Sequence, residues 1–77
     1  MLNKIATILS QLTGVPIESV TMETSPDNLE TWDSSMHLNL VMALEEAFGI
    51  QFSETEIVEM MNVGLIQEVL KAHGVTP

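Results

Sequence analysis

The run Trp32-Asp33-Ser34-Ser35-Met36-His37-Leu38-Asn39-Leu40-Val41-Met42-Ala43-Leu44-Glu45-Glu46-Ala47-Phe48 decides the fold of this chain. Within it His37, Leu40, Val41, Leu44 and Phe48 recur at i, i+3, i+4, i+7 and i+11. That spacing places them on one face of a helix and predicts its core stripe. The helix is expected to start at Asp33 or Ser34. Gly49 is expected to end it, because glycine accepts the left-handed backbone that closes many helices. Leu38 and Met42 fall on another side, near Ser35, Glu45 and Glu46. Apolar residues beside carboxylates suit a partner-binding surface, although single exposed apolar side chains are common.

Upstream, Ile5, Ile8, Leu9 and Leu12 repeat at i, i+3, i+4 and i+7 and predict a first helix from about Leu2 to Thr13. Gly14 stops it and Pro16 opposes continuation. A long connection then runs from Val15 to about Asp33, with turn-forming Pro16, Ser25, Pro26, Asp27 and Asn28. A loop this long is rare unless it is functional or packs onto the core. Val20, Met22, Leu29 and Trp32 are expected to pin it across the helices.

Downstream, Ser53-Glu54-Thr55-Glu56 has the form of a capping box, in which Ser53 caps the helix and Glu56 reaches back to the Ser53 amide. It opens a short third helix ending near Met60 or Met61. Asn62 is the expected cap of a last helix carrying Val63, Ile66, Val69, Leu70 and His73. Gly74 closes that helix, and Val75 to Pro77 reads as a frayed tail. No alternating strand pattern competes. The expected fold class is all-α, a four-helix bundle with a long first loop and a short third helix, in one domain over 1–77.

The 77 residues suffice for one domain and leave no room for a cleft between two. Its core should yield roughly 3–5 kcal/mol of net stability. Eleven acidic residues face only Lys4 and Lys71, for a formal net charge of -9. Such a surface repels nucleic acid and attracts basic protein patches. It also repels itself, so the thermal midpoint should rise from low to moderate salt. A flat or falling midpoint would show that repulsion is not limiting. With no cysteine, disulfides and thiolate metal sites are excluded. His37 and His73 have no companion ligand set, and the acidic residues lack the spacing of a calcium loop, so no dedicated metal site is expected. The glycine pattern of nucleotide binding is also missing. The opening residues lack the apolar run of a signal peptide, and no segment reaches the length of a membrane span. A cytoplasmic monomer is expected.

Asp33-Ser34, followed by Leu40-Val41-Met42-Ala43-Leu44-Glu45-Glu46-Ala47-Phe48, resembles the acyl carrier protein family. That family shows Asp-Ser-Leu at the start of its second helix and then a Leu-Val/Ile-x-x-Leu-Glu-Glu-x-Phe stretch. The resemblance extends over essentially the whole chain, including helix order, the long first loop and the acidic balance. It implies a non-catalytic carrier of acyl groups, held as thioesters on a 4'-phosphopantetheine arm derived from coenzyme A. It further implies that Ser34 takes the arm, with Asp33 as its motif neighbour. It implies two kinds of partner: a phosphopantetheinyl transferase, and acyl-transferring or synthase enzymes with basic patches. Candidate partner contacts are Ser35, Leu38, Met42, Glu45, Glu46, Glu54 and Glu56.

The sequence departs from the family pattern at Ser35, where leucine is usual, and this makes Ser35 a rival attachment point. Register against Leu40 and position directly after Asp33 favour Ser34. Met36 and Asn39 stand where carriers of general fatty acid synthesis often have carboxylates, and Trp32 resembles specialised bacterial carriers. Two other readings stay open: an aminoacyl or peptidyl carrier, and an acidic helical interaction module that does not use the serine. A stand-alone enzyme is poorly supported, since no convergent catalytic set is present.

Overall fold

The structure is a computed structural model, and it describes residues 2–75. Among these, the chain forms α1 (Leu2–Thr13), a short 3₁₀ turn (Ile17–Ser19), α2 (Ser34–Phe48), α3 (Glu54–Glu59) and α4 (Val63–Ala72). The all-α architecture matches the expectation. α1 packs against α2 and α4, and α3 packs against α4. Ile5 and Leu9 of α1, Leu40 and Leu44 of α2, and Val63, Ile66 and Leu70 of α4 meet in the core, all fully buried.

The helix ends follow from local chemistry. Asp33 caps α2: its Oδ1 accepts the Met36 N–H at 2.9 Å. Gly49 ends α2 at φ 67°, a backbone that costs other residues more. Both halves of the capping box form at α3, with Ser53 Oγ accepting from Glu56 N–H and Glu56 Oε1 accepting from Ser53 N–H. α3 stops at Glu59, slightly short of its expected end.

The long loop is itself a cap. Asn62 Oδ1 accepts the Leu65 N–H at 2.7 Å, so the cap side chain satisfies one free amide of α4. Loop carbonyls take two more: Val63 N–H donates to Thr24 and Gly64 N–H donates to Met22, at 3.0 and 2.9 Å. A Cβ at position 64 would sit 3.2 Å from the Met22 carbonyl oxygen, so glycine lets the loop approach this closely. The loop holds its shape through Thr24 Oγ1, which accepts from Thr21 N–H, and Asn28, which bridges Ser25 N–H and the Glu23 carbonyl. Val20 and Trp32 are buried, and Leu29 is half-buried, as the pinning role requires.

Several expectations need correction. The Met22 side chain is exposed, and the residue anchors the loop through its carbonyl instead. Leu12 lies within the α1 stripe yet is exposed. On α2 the buried row is Met36, Leu40 and Leu44, with Val41 beside it. His37 is only half-buried, at the edge of that row, where both ring nitrogens find polar partners. Phe48 is also half-buried, with the Lys4 ammonium 5.1 Å from its ring centroid. His73 leaves the α4 stripe and caps its end. Val75 is not frayed: its N–H donates to the Leu70 carbonyl while Gly74 N–H donates to Lys71, the paired bonds of a Schellman ending. The rest of the expected tail, Thr76 and Pro77, lies outside the described residues.

Candidate functional site

Ser34 is the first residue of α2 and is exposed. A serine at a helix start is most often the cap, with its oxygen bonded to a backbone amide. Here Asp33 fills that role, so the Ser34 hydroxyl is left outside the capping bond. The same turn sends Trp32 inward, to 3 % exposure.

Ser34 borders a cleft of about 470 Å³. The other lining residues come from the loop (Pro26, Trp32, Asp33), from α2 (His37, Leu38) and from α3 and the segment after it (Ile57, Val58, Met61). The lining is mostly apolar, and its size falls within the usual range for small-molecule sites, about 300–1,000 Å³. Ser35 is exposed too but does not line the cleft. The two hydroxyls therefore differ in surroundings, although they are neighbours in sequence.

The inner side of the cleft carries a polar bridge. Trp32 Nε1–H donates to His37 Nδ1 at 3.0 Å, and His37 Nε2 lies 2.8 Å from the Ile57 carbonyl oxygen. Indole nitrogen can only donate and a carbonyl can only accept. The neutral Nε2–H tautomer is thus the one that satisfies both partners. The Ile57 carbonyl lies near the end of six-residue α3, where helix carbonyls lack internal partners. Sequence reading assigned His37 to the core and missed this bridge. A histidine within an apolar stripe, five residues after a tryptophan, was the available signal, since a partly buried imidazole must find partners for both nitrogens.

Leu38 (58 % exposed) and Met42 (62 % exposed) stand one turn apart on the outer face of α2. Val58 and Met61, which sequence reading did not single out, are exposed across the cleft from Leu38. Met36 is buried, so its lack of charge is a core requirement and says nothing about partner preference.

The candidate carboxylates divide in two. Glu46 and Glu54 are exposed. Glu45 Oε2 accepts the Phe52 N–H at 2.9 Å and ties the end of α2 to the approach to α3. Glu56 accepts from Ser53 N–H and is bridged at 2.9 and 3.0 Å by His73 Nε2, whose ring meets Phe52 edge-on. These bonds, the Ser53 amide first and His73 second, hold the Glu56 carboxyl below the ordinary glutamate range. A depressed folded-state value stabilises the fold above the unfolded value and loses that contribution as pH falls through the folded one. The stability gap between wild type and Glu56→Gln should therefore be open near neutrality and close below about pH 4. Equal gaps at pH 7 and pH 3 in chemical denaturation would contradict this. Among the described residues, no cluster of three potential metal ligands forms, and no helix is long and apolar enough to cross a membrane.

Two comparisons bear on this arrangement. The family described as "Phosphopantetheine attachment site" matches residues 3–70. An acyl carrier protein of Lactobacillus johnsonii is 30% identical over 71 residues, covering 92% of this chain and 89% of that protein. Both matches span the loop, the cap and the cleft together, and they show that the chain belongs to the acyl carrier protein family, whose prosthetic group is 4'-phosphopantetheine.

Proposed function

We propose that Ser34 bears the phosphopantetheine arm and that the chain serves as a non-catalytic carrier, handing acyl groups between partner enzymes. The observation that carries this reading is the exposed Ser34 hydroxyl, relieved of capping by Asp33 and set at the edge of an apolar cleft. The site fits the group. An arm leaving Ser34 meets open solvent and needs no displacement of core side chains. A phosphate beside the first turn of α2 gains roughly 0.3–1 kcal/mol from the helix dipole and its free amides. The Asp33 carboxylate works against that gain, so the arm is anchored covalently and not by a tight phosphate pocket.

In the modification step Ser34 Oγ attacks the pyrophosphate of coenzyme A within a phosphopantetheinyl transferase. One phosphorus–oxygen bond forms to Ser34. The bond to the nucleotide side breaks, and the hydroxyl proton passes to a base of the transferase. The terminal thiol of the arm then holds cargo as a thioester. The chain supplies the address: Leu38 and Met42 offer apolar contact, while Ser35, Glu46 and Glu54 stand exposed around them. Glu45 and Glu56 contribute negative charge from internally bonded positions. The formal charge of -9 attracts basic partner surfaces, and the exposed Glu46 and Glu54 carboxylates favour their approach to this face. We place the carrier in the cytoplasm, in fatty acid synthesis or a dedicated biosynthetic pathway.

The test is direct. The apo protein is incubated with coenzyme A and a broad-specificity transferase, and its intact mass is measured. A gain of one phosphopantetheine is expected. An unchanged mass, with helical circular dichroism intact, would favour an acidic interaction module instead.

A further inference from the structure

The cleft beside Ser34 has an inner wall that depends on one side chain. α3 packs on α4 and is not among the main neighbours of α2. Across the gap between them runs the bridge from Trp32 through His37 to the Ile57 carbonyl. The His37 and Trp32 rings lie nearly parallel, with centroids 6.1 Å apart and planes 21° apart, and both line the cleft. Leu40 and Leu44, one and two turns further along the same side of α2, are fully buried. The bridge therefore stands between an open apolar cleft and the apolar core.

We propose that His37 is a positioning residue that fixes the inner wall of this cleft and so limits the carrier to sheltering short acyl chains. The inference rests on Ser34 bearing the arm and adds the class of cargo. The occupant is the acyl chain tethered through Ser34, because Ser34 itself borders the cleft and the lining is mostly apolar. A short chain gains burial against Pro26, Leu38, Val58 and Met61. A longer chain must either stay in water or part α2 from α3. Parting them removes the acceptor of His37 Nε2–H and the partner of the Ile57 carbonyl, and it disturbs the partner of a buried indole N–H. An unpaired N–H on the buried Trp32 indole is costly, and the half-buried His37 and Ile57 groups lose their partners as well. Polar satisfaction thus holds the wall shut, while apolar burial alone would let it open.

The test compares wild type, His37→Ala and His37→Phe, the last keeping an aromatic ring while deleting both nitrogens of the bridge. In the apo proteins, exchange of the Trp32 indole proton is followed by NMR. In His37→Ala it should exchange at least about tenfold faster than in wild type, as expected of a broken hydrogen bond. Each protein is then loaded from butanoyl-, hexanoyl-, octanoyl- and dodecanoyl-coenzyme A, loading is checked by intact mass, and thermal midpoints are recorded. In wild type the midpoint should rise to hexanoyl and then level off. In both variants it should keep rising to dodecanoyl, by about 4 °C or more over the hexanoyl form. A purely structural role for His37 would lower all midpoints together and leave their dependence on chain length unchanged. His37→Phe keeps the test decisive if His37→Ala does not fold. Loaded proteins with one common chain-length profile would overturn the proposal while leaving Ser34 as the attachment point. A wild-type midpoint that climbs without levelling would do the same. Absence of loading, with the indole exchange behaving as stated, would instead show that the Ser34 reading has failed and the proposal with it.

Discussion

Ser34→Ala will take up no phosphopantetheine, whereas Ser35→Ala will load to the wild-type extent. The two hydroxyls are adjacent and both exposed. Their difference lies in what surrounds them. Ser34 follows the cap residue and borders the cleft, while Ser35 stands outside it. Removing the Ser34 oxygen deletes the nucleophile, so the loss is complete. Removing the Ser35 oxygen deletes an exposed group in the first turn of α2, where substitutions usually stay within about 0.5 kcal/mol. Intact-mass measurement of both variants separates these outcomes. Loading of Ser34→Ala with loss in Ser35→Ala would mean that the register is off by one.

Leu44→Ala will bring the protein to the edge of unfolding at room temperature. Leu44 is fully buried in the C-terminal half of α2, the helix at whose start Ser34 stands. Truncating a buried leucine to alanine costs about 2–5 kcal/mol, part lost transfer energy and part residual cavity. A domain of this size holds roughly 3–5 kcal/mol in total. The two ranges overlap, so the variant sits at or beyond the edge of folding. Circular dichroism at 222 nm should show a partly lost helical signal and a thermal midpoint lowered by about 10 °C or more, and loading should fall with it. Met42→Ala, on the exposed side of the same helix, should keep the wild-type midpoint within a few degrees. A native melt for Leu44→Ala would show that α2 does not depend on this core.

Helix boundaries were legible because their signals are local. Asp33, Gly49, Asn62 and the Ser53–Glu56 box each act within one turn, and each holds the place its chemistry demands. The choice between Met36 and His37 was not local. Both lie within reach of the α2 stripe, and the tertiary position of Trp32 and the Ile57 carbonyl decides that methionine goes in and histidine goes to the edge. The capping of α4 by the loop was hidden for a different reason. Met22 and Thr24 act through backbone carbonyls, which leave no mark on residue type. Only Gly64, inexplicable by helix propensity, hinted at a close approach. At the site, the place of Ser34 at the start of α2 could be read from Asp33 before it and the stripe after it. The cleft could not, since Pro26, Val58 and Met61 reach it from separate parts of the chain. The internal bonds of Glu45 and Glu56 were likewise invisible, because a carboxylate looks the same in sequence whether it faces water or a backbone amide.

The central claim is that a transferase can reach one free alcohol where the long loop enters α2. Fragmentation mass spectrometry of the wild-type protein after loading locates the added group on a single residue. The fragments should carry it on Ser34 and leave Ser35 bare. A tether found on any other side chain, or none on a folded chain, would contradict the account.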